Sequence, residues 1–157
     1  MTTVSLPLEG GCQCGQLRYS LATAPLTVYA CHCTNCQKQT GSAFVLSTAV
    51  VESDFAFTAG EPSRFEWISE AGNQRTGYFC GNCGTRIVNG QTPSIGVYSL
   101  RAGTFDDTSW VKPAAHIWMR SAQAWFHPNN DDIVWDEQPI DYDPMLERFA
   151  TFQTFGE

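Results

Sequence analysis

Seven cysteines carry most of the chemistry available to this chain, and none of them stands alone. Cys12 and Cys14 form CQC, Cys31, Cys33 and Cys36 form CHCTNC, and Cys80 and Cys83 form CGNC. Thiols at C-x-C and C-x-x-C spacing can chelate one zinc ion. The chain reverses over two or three residues and brings both sulfurs about 3.7 Å apart around a tetrahedral ion with Zn–S of about 2.3 Å. Seven ligands divide as four and three. CHCTNC can supply three locally, which leaves CQC and CGNC for a closed four-thiolate site. A partition in which CHC joins CGNC and Cys36 stays free satisfies the same count. A zinc with four protein ligands has no vacancy and is structural, whereas three ligands leave a position for something from outside.

Other uses of these residues have their own signatures. An odd number of cysteines without an export signal argues against a disulfide framework. CGNC as a thioredoxin-type redox pair should open a long helix. Here TRIVNGQTPS follows, with Asn89-Gly90 and Pro93 as breakers. Gly81 and Gly84 suit a zinc knuckle instead. Completion of CHCTNC by His32, His116 or His127 would make a second structural site. His32, the middle residue of C-x-C, is expected to point away from a metal. Near the open cluster, Lys38, Gly41 and Ser42, with Thr40, can offer a cation, hydroxyls and backbone donors to an anionic ligand. Arg86 is a further cation, and His116 and Tyr98 are candidate proton donors.

The elements that must position these groups read as mainly β. Gln16–Ala22, Ser42–Val51, Phe55–Ala59, Arg64–Ser69, Arg75–Cys80, Thr85–Val88 and Ser94–Leu100 are short apolar or alternating runs. Turn signals at Gly60-Glu61-Pro62 and Ala71-Gly72-Asn73 separate some of them. Regular short strands indicate a sheet or sandwich with little helix. A helical turn after Thr34 would carry Cys36 and Lys38. Asp143-Pro144 opens a short packing helix, with Met145, Phe149 and Phe152 on one side. Trp110, Trp118, Trp125 and Trp135 are expected to fill the core, the sharper option being a flat aromatic wall beside the open site.

The bounds agree with a small globular protein. The 157 residues suit one domain, with a core over about residues 9–126 and a C-terminal extension over 127–157. Hydrophobic residues make up 43% and charged residues 16%, with a net charge of −7. An acidic surface repels phosphate, which argues against a nucleic-acid partner. MTTVSLPLEG has no signal-peptide character and no stretch is apolar enough to span a bilayer, so a soluble, cytoplasmic protein is expected. Seven thiolates take the formal charge to −14 and two zinc ions return it to −10. An anionic ligand therefore approaches against the overall field and depends on local donors.

In order, GGCQCGQLRY, CHCTNCQKQTGSAF, FCGNCGTRI and HIWMRSAQAW resemble the glutathione-dependent formaldehyde-activating family of zinc proteins, over about residues 9–126. The resemblance implies a β-rich fold around zinc, shared with a small Rab-binding exchange factor. It implies a structural zinc on Cys12, Cys14, Cys80 and Cys83, and an open, catalytic one on Cys31, Cys33 and Cys36. The implied reaction condenses a thiol such as glutathione with formaldehyde, which makes the protein a carbon–sulfur lyase or synthase. Two other readings fit the same residues: a non-catalytic zinc module for a protein partner, and a thiol-based redox or zinc sensor.

Overall fold

The computed structural model describes residues 3–156. β1 (Thr3–Ser5), β2 (Leu8–Gly11), β3 (Arg18–Leu21) and β4 (Thr27–Cys31) lead into α1 (Thr34–Thr40). β5 (Val45–Val51), β6 (Phe55–Ala59), β7 (Ser63–Ile68), β8 (Gln74–Phe79), β9 (Arg86–Thr92) and β10 (Val97–Arg101) follow. β11 (Ala115–Ile117), β12 (Ile133–Val134), α2 (Asp143–Ala150) and β13 (Thr154–Gly156) complete the order. Eight strands form one sheet in the order β12-β11-β4-β5-β10-β9-β8-β7, and β2-β3-β6 form a second. β1 and β13 pair in parallel as a third, two-stranded piece. No helix among the described residues is long and apolar enough to cross a membrane.

Period-2 alternation gives the large sheet two different faces. On one, Val28, Val50, Val88 and Leu100 are fully buried. Aromatic pairs join this face to the small sheet: Phe55 of β6 meets Tyr98 of β10 at 5.8 Å, and Phe57 meets Tyr78 at 6.4 Å. Tyr19 of β3 lies 5.3 Å from Phe55, tilted by 34°, and is 1% exposed, so aromatic rings fill part of the sandwich interior. The other face is concave, with α1 and residues of α2 around it. Pro144 starts α2, whose Met145 and Phe149, one turn apart, are buried in the core.

No long helix follows CGNC, as expected, and β9 runs through Asn89-Gly90 to Thr92. The Asn89 amide is hydrogen-bonded to Arg86, and Gly90 faces the Tyr98 ring, where an added Cβ would lie only 2.9 Å from Cε1. The tryptophans do not all fill the core. Trp110 and Trp118 are buried, but Trp125 is 66% exposed.

Candidate metal centres and the adjoining cavity

Two hairpin turns, one from each sheet, meet at the first cysteine cluster. The β2–β3 turn supplies Cys12 and Cys14, and the β8–β9 turn supplies Cys80 and Cys83. The four sulfurs lie within 4.8 Å of one another, with 3.5 Å between Cys12 and Cys14 and 3.7 Å between Cys14 and Cys80. No disulfide joins them. These spacings approach the edge of a tetrahedron around a zinc-sized ion. Local backbone shapes the nest: the Leu17 N–H donates to Cys12 Sγ at 3.2 Å, and Gly84 N–H closes the knuckle onto the Cys80 carbonyl at 2.8 Å.

The second cluster straddles the junction of β4 and α1. Cys31 ends the strand, paired with Val45 of β5 and Ile117 of β11. Cys33 caps the helix, its sulfur accepting the Cys36 N–H at 3.4 Å. The three sulfurs also lie within 4.8 Å of one another. Hydrogen bonds from Cys31 and Cys36 pull the Cys33 thiol down to about 3, while the bonds with Cys33 and Cys36 push Cys31 far up. Among the described residues no histidine joins the cluster. His32 is fully buried on the opposite side, between Phe44 and Phe126, with its Nε2 3.0 Å from His116 Nδ1. Burial first, and then the charge of His116, hold His32 down at about 4.

All three cysteines of this cluster border a cavity of about 380 Å³ on the concave face of the large sheet. Its floor is set by strand register. Tyr29, Ser47 and Arg101 form one row across β4, β5 and β10, and Thr27, Ala49, Ser99 and Asn89 form the next across β4, β5, β10 and β9. The tip of the β7–β8 hairpin bends over the cavity, and Glu70 holds it there by accepting from both the N–H and Oγ1 of Thr34, each at 2.9 Å. Trp118 forms part of the wall with φ at +60°, a strained setting for a bulky side chain, and its Nε1 donates to Gln138 Oε1 at 3.1 Å.

The sequence-derived ligand residues lie elsewhere. α1 turns Cys33, Cys36 and Gln39 to the cavity at helical spacing, which puts Lys38 on its far side. Lys38, Gly41 and Ser42 border a separate shallow depression with Gln37, Gln123 and Trp125. The candidate proton donors also miss the cavity. His116 is beside His32, and Tyr98 projects into the sandwich because its neighbours Val97 and Ser99 take the cavity face. Tyr29, Arg75 and Arg101 border the cavity without belonging to any sequence motif. Arg75 and Arg101 lie on β8 and β10, whose apolar runs the sequence shows, whereas Tyr29 lies on β4, which is buried on both faces.

The sequence pattern of the glutathione-dependent formaldehyde-activating enzyme family matches residues 7–121, well over half the chain. The chain belongs to this family. A solved structure of a Rhodobacter sphaeroides protein is similar to it in fold, with a TM-score of 0.52 at 16% identity over 67% of this chain and 91% of that one. No curated protein matches the chain in sequence. Within the formaldehyde-activating family pattern lie both cysteine clusters and the cavity strands β4, β5 and β7–β10, while α2 follows it.

Proposed function

We propose that this protein is a zinc enzyme of carbon–sulfur bond chemistry, adding a thiol to a small aldehyde. Cys12, Cys14, Cys80 and Cys83 would hold a structural zinc, and Cys31, Cys33 and Cys36, which border the cavity, would hold a second with room for an outside ligand. The observation that carries this reading is the three-sulfur cluster bordering a partly open cavity of about 380 Å³. That volume is within the usual range for small-molecule sites, roughly 300–1,000 Å³. Zinc bound by three thiolates is a weak Lewis acid toward a carbonyl but deprotonates an incoming thiol at neutral pH.

The chain's own groups then orient the two reactants. The substrate sulfur bonds to the aldehyde carbon, the carbonyl electron pair moves to oxygen, and that oxygen takes one proton. Tyr29 is our candidate donor. Its hydroxyl lies in the same cavity, 3.1 Å from Ser99 Oγ, and burial keeps it protonated. Glutathione and formaldehyde, the pair in the family's name, are the first substrates to test.

The test is metal content with X-ray absorption at the zinc edge, with and without glutathione. Two zincs per chain are expected, with mean sulfur coordination rising from about 3.5 toward 4 on adding the thiol. One zinc, or no change with the thiol, would reject the open site.

A further inference from the structure

Arginine is distributed unevenly in this acidic chain. Among the described residues, Arg18, Arg120 and Arg148 pair with carboxylates at the surface. Arg75 and Arg101, which border the cavity, and Arg86 beside them have no carboxylate partner among those residues, nor has the exposed Arg64. Arg101 is the extreme case, only 5% exposed. Its Nη1 donates to Ser47 Oγ at 2.9 Å and its Nη2 to Gln39 Oε1 at 2.6 Å, while the buried Nε has no partner. A buried guanidinium without a carboxylate partner is costly to desolvate, so folds seldom keep one unless an anion offsets it.

The neighbours deepen the deficit. Asn89 Oδ1 accepts from Arg86 Nη1 at 2.9 Å, and the Asn89 amide lies 3.5 Å from Gln39 Oε1, so neutral amides alone stand between Arg86 and Arg101. Burial, and then the charge of Arg101, hold the Arg86 guanidinium below its usual value. Gly77 leaves the space that Arg86 fills; an added Cβ would fall 2.0 Å from Nη1. Arg75 enters the cavity from β8 and reaches Ser99 Oγ at 3.4 Å. Glu70 is the single carboxylate bordering the cavity among the described residues, and Thr34 and Arg120 already engage it.

We propose that Arg101 and Arg75 form a carboxylate-binding subsite of this cavity, so that its ligand carries a carboxylate in addition to the thiol. This rests on the thiol-binding reading above and adds the ligand's charge and the residues that select it. Arg101 and Arg75 are the two cations bordering the same space, and the Arg101 guanidinium is bonded only to neutral side chains. Arg101 and Cys36 border the same cavity, which puts the carboxylate and the sulfur of one small molecule within reach of their separate partners.

The experiment is equilibrium binding to the metal-loaded protein of three ligands: glutathione, its dimethyl ester and S-methylglutathione. The first has thiol and carboxylates, the second lacks the carboxylates, and the third lacks the thiol. Arg101→Met is expected to weaken glutathione and S-methylglutathione by about ten- to a hundredfold, the range for a lost charge-assisted hydrogen bond. The dimethyl ester should change less than about twofold, and zinc per chain should stay the same. Arg75→Met, at a half-buried position, should show the same selectivity and decides the matter if Arg101→Met fails to fold. Equal losses for glutathione and its ester, or no loss for glutathione, would overturn the subsite. Loss of zinc with both ligands would also overturn it, by making Arg101 a counterion of the cysteine cluster. S-methylglutathione binding as tightly as glutathione, with both weakened by Arg101→Met, would reject the thiol reading and keep the subsite. Absence of binding by all three would reject both.

Discussion

Side chains a few ångströms apart carry opposite duties at the β4–α1 junction. Cys31 faces the cavity while His32, the next residue, is sealed among rings on the other side. Cys36 lies on α1 and is only partly buried. Cys36→Ser is therefore expected to lose one zinc per chain and the activity while the melting transition survives; metal analysis beside circular dichroism checks it. Tyr29→Phe removes only the hydroxyl. Turnover should fall by about 10²- to 10⁴-fold, the usual range for a lost general acid, with zinc content unchanged. A rate within twofold of wild type would clear Tyr29 of that role. At this scale the cysteines were legible because chelation imposes a spacing that survives in a one-dimensional string. Arg101 was not. Its importance comes from a register with Ser47 and from the lack of a carboxylate nearby, and neither is a property of its sequence neighbours.

Whole elements explain why the cavity has walls. α1 is short, and the hairpin tip is fastened to its first turn through Glu70. Glu70→Ala should cost about 1 kcal/mol, as for a lost helix-cap acceptor, and should speed exchange of the Thr34 amide. Denaturant melts and hydrogen exchange read both. A stability change near zero with unchanged exchange would mean that the hairpin is held by other contacts. β5 to β10 were visible in the sequence as separated apolar runs. β4 was not, since Thr27, Val28, Ala30 and Cys31 are all buried and the strand shows no alternation. β11 is buried along its whole length and was missed for the same reason. The extension of β9 through Asn89-Gly90 depended on tertiary partners, Arg86 and Tyr98, that no local turn rule contains.

Across the molecule, the four-cysteine cluster joins the small sheet to the large one at two hairpin turns. Structural zinc contributes on the order of 10 kcal/mol in zinc-finger peptides, comparable with the whole stability of a typical domain. Cys83→Ser is expected to abolish cooperative melting, and a strong chelator should do the same to the wild type. Proteolysis after chelation should cut first in the released β2–β3 turn, between Cys12 and Leu17. Equal, mild effects of Cys36→Ser and Cys83→Ser on melting would contradict the division into a structural and an open site.

Trp118 has a further use. Its indole is fixed at the cavity wall by Gln138, with the Arg120 guanidinium 5.0 Å from the ring centre, while Trp125 is well exposed outside. Trp67 borders the same cavity, so the emission of two of the five tryptophans depends on what enters it. The chain thus contains an optical gauge of occupancy, and a colourless ligand can be titrated by fluorescence without any label.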